Sequence, residues 1–304
     1  MVASSGRFSL RQLRYFVAVA EAGSMAAAAE TQHISQSAIS LAVTQLERAL
    51  GVQLFLRRKA RGIALTDAGR RVLPEVRSLL AHASEVQFTA QSLGYEISGE
   101  LVVGCYPTLT PFVLPTVLRR FAQERVGVRV LLFEGTVPEM TGRLLDGTCE
   151  VALMYDLGLS ADIARTVLFQ VRPYVILPAS HPQADDGPVT LADLSGIPMV
   201  LLDMEPSATM FREVLATGGL DPEIQLVSTN FESVRSLVAS GAGFSILLQR
   251  PSPEYTYAGP GLVYREIADP VRSVDVVLAT ASGARLTRRA AAFADCCRTS
   301  LRLR

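Results

Sequence analysis

The feature that most constrains this chain is its helix punctuation between residues 10 and 66. Leu10, Leu13, Phe16, Val17 and Ala20 recur at helical spacing and form one apolar face. Gly23 stands where that helix must stop and Ser24 where another begins. Glycine accepts the left-handed backbone of a helix C-terminus, and a serine hydroxyl satisfies the first free N–H groups of the next helix. Met25 to Glu30 is nearly all Ala and Met, which suits a short helix packed against neighbours. A turn at His33 and Ile34 leads to a second cap, Ser35. From Gln36 to Leu50, Ile39, Val43, Leu46 and Leu50 keep helical spacing until Gly51. Two short helices meeting at a tight turn, the second amphipathic, are what a helix-turn-helix requires.

The outward face of that second helix carries Gln36, Ser37, Ser40, Thr44 and Arg48. Short hydrogen-bonding side chains near a helix N-terminus are the kind that reach base edges in a major groove, although any solvent-facing helix also has a polar stripe. After Gly51 an apolar stretch enters a turn with four cations in five residues, Arg57, Arg58, Lys59 and Arg61, and leaves through Ile63 to Leu65. This reads as a β-hairpin wing suited to phosphate or minor-groove contact. The formal net charge of zero hides an asymmetry: residues 1–94 hold 11 basic and 6 acidic side chains, the remainder 18 and 23. A basic segment joined to an acidic bulk fits a part that meets a polyanion.

Thr66 and Asp67 open a long helical pattern. Along it Val72, Val76, Leu79, Ala83, Val86, Ala90 and Leu93 step by four and three, a heptad seam. A seam of this kind serves either a partner helix or the helix's own domain. Pro74 within it is expected to kink the helix or delay its regular start. From residue 98 onward short β runs alternate with helical runs. Strands are expected at Leu101–Cys105, Val128–Glu134, Val151–Tyr155, Tyr174–Leu177, Pro198–Leu202, Ile224–Ser228, Phe244–Leu248 and Val274–Ala279. Alternation of this sort implies parallel sheets, here in two α/β lobes with a cleft at the strand C-termini. The expected division is a winged helix-turn-helix over 8–66, a linker and dimerisation helix over 67–94 and a two-lobed effector-binding domain over 98–304. Lobe I covers about 98–166 and 270–304, and lobe II about 167–269.

No catalytic, metal or cofactor site is expected. The sequence lacks GxSxG, P-loop, HExxH and GxGxxG patterns, has three His, and has four Cys (Cys105, Cys149, Cys296, Cys297) without a CxxC. No signal peptide and no membrane span are read, so a cytoplasmic location is expected. The lobes alone would also suit a periplasmic-type solute receptor or an enzyme on an α/β scaffold. The basic wing argues against the former and the missing motifs against the latter.

Leu10-Arg-Gln-Leu-Arg-Tyr-Phe-Val-Ala-Val-Ala-Glu-Ala-Gly-Ser24, Ile34-Ser-Gln-Ser-Ala-Ile-Ser40, Gln45-Leu-Glu47, Leu50-Gly-Val-Gln-Leu-Phe55 and Leu65-Thr-Asp-Ala-Gly69 together resemble the N-terminal domain of LysR-type transcriptional regulators. Ser98 to Gly104 and Gly241 to Phe244 resemble that family's sensing domain. The resemblance implies a homodimer or homotetramer on double-stranded promoter DNA, with RNA polymerase as a candidate partner. It also implies a small-molecule effector, with a carboxylate as the expected class, held between lobes like those of periplasmic binding proteins. Carried over by position, Ser35, Gln36, Ser37 and Ser40 would face the groove, and Arg57, Arg58 and Arg61 would form wing contacts beside Thr44 and Arg48. Tyr106, Thr108, Thr110, Gly135 and Thr136 would line one side of the cleft, and Ser207, Thr209, Asn230 and Phe231 the other. Ala27, Leu41 and Thr44 stand where the family often has basic residues, which leaves more of the phosphate contact to Arg48 and the wing. The peroxide-sensing branch needs a reactive Cys pair in its sensing domain. Here Cys105 and Cys149 fall on strand positions, so redox sensing is not expected.

Overall fold

A computed structural model describes residues 8–58, 62–91, 97–184, 187–251, 255–257 and 259–301. The head begins with α1 (Leu10–Ala22), opened by a capping box between Ser9 and Gln12 and closed by Gly23 in the left-handed region. Ser24 caps α2 (Met25–Thr31), and Ser35 caps α3 (Gln36–Leu50), which Gly51 ends at φ +71. The strands β1 (Phe55–Arg58) and β2 (Gly62–Leu65) pair antiparallel, with Phe55 opposite Leu65. Leu13, Phe16, Val19, Ile39, Val43, Leu46 and Leu54 form the core of this head.

The helix α4 (Asp67–Gln91) follows, with Pro74 inside its continuous run. The Thr66 hydroxyl accepts from the Gly69 N–H at 2.9 Å. Gly69 is needed for close approach, because a Cβ there would lie 2.2 Å from the Leu54 carbonyl oxygen. Leu73 and Val76 are buried in the head's core, and Val72 and Leu80 pack against it. The first two positions of the heptad seam, Val72 and Val76, therefore serve the chain's own head. Leu79 and Val86 remain 45% and 71% exposed. Leu93 lies outside the described residues.

The remainder builds two lobes. In the first, β3 (Gly99–Cys105), α5 (Thr110–Glu124), β4 (Val128–Glu134), α6 (Val137–Leu145), β5 (Val151–Tyr155) and β6 (Ile163–Val171) follow in order. The chain then enters the second lobe with β7 (Tyr174–Pro178), β8 (Met199–Leu202), α7 (Ser207–Thr217), β9 (Ile224–Ser228), α8 (Phe231–Ala239) and β10 (Ser245–Leu247). The short strands β11 (Tyr255–Thr256) and β12 (Gly259–Pro260) and then β13 (Leu262–Glu266) complete it. The chain returns through β14 (Val274–Ala281) and ends in α9 (Arg288–Leu301).

The first lobe's sheet has the order β4-β3-β5-β14-β6. The expected all-parallel arrangement holds for β4, β3 and β5 but not for β14, which is antiparallel to both β5 and β6. A strand returning from another lobe needs no helical crossover, so nothing forces it to run with its neighbours. β6 continues to Val171, so this sheet extends past residue 166. In the second lobe β8 and β9 are parallel, whereas β7 pairs antiparallel with both β10 and β13. β6 and β13 escape the sequence pattern because charged and polar side chains (Arg165, Thr166, Gln170; Arg265, Glu266) interrupt their apolar positions.

Candidate DNA-reading face and interlobe cleft

The apolar side of α3 is sealed by Ile39, Ala42, Val43 and Leu46, all buried. Helical geometry turns Ser37, Ser40, Leu41, Thr44 and Arg48 the other way. Ser35, Gln36, Ser37 and Arg48 are exposed, and Ser40 and Thr44 half-buried. Three of these hydroxyls already work within the head: Ser35 accepts from Ala38 N–H at 3.2 Å and lies 3.0 Å from the Ser37 hydroxyl, and Thr44 donates to the Ser40 carbonyl at 2.9 Å. Leu41, 60% exposed, stands on the same face. A leucine there offers apolar contact, the kind a thymine methyl accepts. It was missed because a lone apolar residue on a polar stripe carries no sequence signal.

The wing's position is set by three bonds. Glu47 Oε1 accepts from Leu54 N–H at 2.8 Å and Phe55 N–H at 3.1 Å, pinning the entry to β1. Ile63 N–H donates to the Gly23 carbonyl at 3.1 Å, joining β2 to the turn before α2. Arg57 and Arg58 stand on β1, while Lys59 and Arg61 lie outside the described residues.

The C-terminal ends of β3, β4 and β5 share one sheet edge, because the three strands are parallel and in register. That edge faces the second lobe. The cleft between them is lined by Thr108, Tyr155, Leu202, Ser207, Phe231 and Gln249, with Phe211 and Leu248, and is nearly closed, with a cavity of only about 10 Å³. Ligand pockets usually measure roughly 300–1,000 Å³. A drug-sized molecule would therefore enter only as the lobes part.

Tyr106 Oη donates across the cleft to the Met204 carbonyl at 3.0 Å and lies 3.2 Å from that of Glu205; Ser207 Oγ donates to it at 3.4 Å. Thr108 Oγ1 and Tyr155 Oη are 3.1 Å apart. Burial raises the pKa of both tyrosines, so their hydroxyls stay protonated. Gln249 Nε2 is buried beside Tyr155 without a well-formed hydrogen bond. α5 and α7 open without a side-chain cap, and beside these starts stand Thr108 and Ser207. The first N–H groups of both helices are already taken, those of Thr110 and Phe112 by the Tyr106 and Leu109 carbonyls and those of Ala208 and Thr209 by the Met204 carbonyl and the Glu205 carboxylate, so the hydroxyls and Gln249 are the polar groups left to meet a ligand.

Of the residues expected at the cleft, Thr108, Ser207 and Phe231 line it, and Tyr106 bridges it. Thr110, Gly135, Thr136, Thr209 and Asn230 do not line it. Thr136 caps α6, and its N–H and hydroxyl both donate to Glu139 at 2.8 Å. The start of α6 thus already holds a carboxylate. Asn230 caps α8 through Ser233 N–H at 2.9 Å, and Thr209 donates to Glu205 at 2.8 Å. Tyr155 and Gln249 were missed because they end strands that read as core. A larger surface groove of about 660 Å³, flanked by Ile197, Pro198, Gly219, Asp221 and Glu223, lies at the opposite end of β8 and β9. It lies away from the hydroxyls of Thr108, Tyr155 and Ser207 and from the lobe interface, so the interlobe cleft is the better candidate.

All four cysteines are buried free thiols. Burial pushes Cys105 up to about 12 and Cys149 up to about 11, and raises Cys296 and Cys297 as well. None is poised as a thiolate at neutral pH. Among the described residues no cluster of His, Cys, Asp or Glu could hold a metal ion, and no helix is long and apolar enough to cross a membrane.

A winged helix-turn-helix with an outward polar recognition helix, joined by one long helix to a two-lobed domain with a cleft, defines a ligand-responsive DNA-binding protein. Residues 10–70 match the bacterial regulatory helix-turn-helix of the lysR family, and residues 95–302 match the LysR substrate binding domain. The chain belongs to the LysR family of DNA-binding transcriptional regulators. Among its relatives is the Hca operon transcriptional activator HcaR of Escherichia coli K12, 31% identical over 277 residues, covering 90% of this chain and 92% of the relative. The structure of HinK, a LysR family transcriptional regulator from Pseudomonas aeruginosa, matches with TM-score 0.64 at 36% identity, covering 97% of this chain and 99% of that one. Full-length CbnR complexed with its target DNA matches with TM-score 0.57 at 29% identity, covering 97% and 100%.

Proposed function

We propose that this regulator reads promoter DNA with Gln36, Ser37, Ser40, Leu41, Thr44 and Arg48 of α3, with Ser35 setting the helix start and Arg57, Arg58 and Arg61 of the wing gripping phosphates. The observation that carries this reading is the division of α3 into a sealed apolar side and an open polar side beside the wing. The effector is a small molecule with a hydrogen-bond-accepting head, for which a carboxylate fits. Thr108, Tyr155, Ser207 and Gln249 receive that head. Phe211, Phe231, Leu202 and Leu248 enclose the rest. The working division is residues 8–66 for DNA, 67–94 for linkage and pairing, and 98–304 for sensing. The chain acts by binding and not by catalysis, and it works in the cytoplasm, where its promoter DNA is.

The test is binding to a duplex from upstream of its own gene across a salt series. Replacing Arg57 and Arg61 together by Ala is expected to weaken specific and random duplexes alike and to flatten the log–log salt slope by about 2 per subunit. Gln36→Ala or Ser37→Ala is expected to change which sequence is preferred by about 1–3 kcal/mol at one position. A uniform loss across sequences for the α3 variants, or an unchanged slope for the wing variant, contradicts the assignment.

A further inference from the structure

Polar contacts tie α4 to the first lobe of its own chain, and one of them also reaches the DNA-reading head. Arg77 lies on α4 with its side chain only 11% exposed. Its Nη1 donates to the Asp146 carbonyl at 2.8 Å and stands 3.0 Å from Asp146 Oδ1, while Nη2 donates to Glu21 Oε1 at 2.9 Å. Glu21 is in the last turn of α1, and Asp146 is the C-cap of α6. A single guanidinium thus joins the head, the linker helix and the sensing lobe across 56 and 69 residues of sequence.

The contact is tightly built. Asp146 Oδ1 is itself held by Thr148, accepting from its N–H at 2.8 Å and its hydroxyl at 2.5 Å. The loop lies so close to α4 that a Cβ on Gly147, at φ +74, would stand 3.4 Å from both the Pro74 carbonyl and Arg77 Cβ. Farther along α4, Glu85 accepts from Arg288 N–H at 2.6 Å and pairs with Arg289 at 3.8 Å. Arg289 pairs in turn with Glu150 at 3.8 Å, and Glu150 accepts from Thr287 N–H and hydroxyl at 3.0 Å each. That second contact anchors α4 on the lobe but makes no bond to the head.

α6 gives the Arg77 contact its reach. Its N-cap Thr136 follows β4, at the sheet edge that also carries Thr108 and Tyr155. Its C-cap is Asp146, about 15 Å away at 1.5 Å per residue. Val137, Met140 and Leu144 are buried along it, so the helix moves with the lobe as a rod and not as a loop.

We propose that Arg77 is a coupling residue, and that the series from the sheet edge carrying Thr108 and Tyr155 through α6, Asp146 and Arg77 to Glu21 makes cleft occupancy and DNA binding bias one another. The proposal rests on the DNA-reading and cleft assignments above. Arginine is required because its planar fork serves two acceptors at once, which a lysine ammonium on a flexible stem does not reproduce. Coupling between two binding sites is reciprocal, so DNA itself serves as the probe and no effector is needed.

Hydrogen exchange of the full-length protein, with and without a duplex from upstream of its gene, tests this. DNA is expected to protect 36–48 directly and to slow exchange about five-fold or more at 143–149, which DNA does not touch. In Arg77→Lys, Glu21→Gln and Asp146→Asn, each checked for unchanged secondary structure by circular dichroism, protection of 36–48 is expected to persist while that of 143–149 is lost. A merely structural contact would alter exchange at 143–149 equally with and without DNA. No DNA response at 143–149 in the unmodified protein, or a full response in the variants, overturns the proposal. Absence of protection at 36–48 in the unmodified protein would instead remove the DNA-reading assignment, and the coupling with it.

Discussion

Glu47 shows how one side chain sets the geometry of a nucleic-acid surface without touching nucleic acid. Its carboxylate accepts two backbone N–H groups at the start of β1, so the wing leaves α3 at a fixed angle. Charge-assisted bonds of this kind are short and about twice as strong as neutral ones. Glu47→Ala leaves two N–H groups without their partner and is expected to cost the head about 1–3 kcal/mol, read by urea unfolding. Unfolding at the unmodified midpoint would show that water or a shifted loop replaces the carboxylate. Glu47 was visible in the sequence only as part of a family motif. Its role depends on Leu54 and Phe55 returning to it in space, which no spacing along the chain encodes. Ser24, Ser35, Gly23 and Gly51 were legible, because caps and left-handed stops act within four residues of themselves.

At the scale of elements, α4 divides its apolar positions between two tasks. Leu73 and Val76 close the head's core, while Leu79 and Val86 are left at the surface. The heptad period predicts a seam but not who fills each position. Pairing of two chains through the exposed stretch is expected to fail when Val86 is replaced by Glu, since two like charges would meet in an apolar seam. Sedimentation should then show a smaller assembly with an unchanged head fold. An unchanged mass would place the pairing surface elsewhere. The same distinction explains the sheets. β3, β4 and β5 announced themselves as apolar runs separated by helices, whereas the direction of β14 followed from its return out of the second lobe.

For the whole molecule, the two lobes are held together across the cleft by Tyr106 and by the edge-on contact of Phe112 with Phe231, ring centroids 5.8 Å apart. Tyr106→Phe removes the hydroxyl and leaves two carbonyls without it. Loss of a bond worth about 1 kcal/mol shifts an open–closed balance roughly five-fold. Exchange at 203–208 is expected to quicken by that factor while the unfolding midpoint changes little. Unaltered exchange there would show that apolar packing alone keeps the lobes closed.

The order of residues already specifies the helices of the head, their caps, the basic hairpin, the long helix and the alternation of strands and helices behind it. Caps, periods and turns are interactions between near neighbours, so the order of residues contains them. Packing in three dimensions brings Thr108, Tyr155, Ser207 and Gln249 to one cavity and turns Arg77 to Glu21 and Asp146. Those arrangements join residues from about 50 to more than 100 positions apart, and packing of the lobes and helices sets their distances.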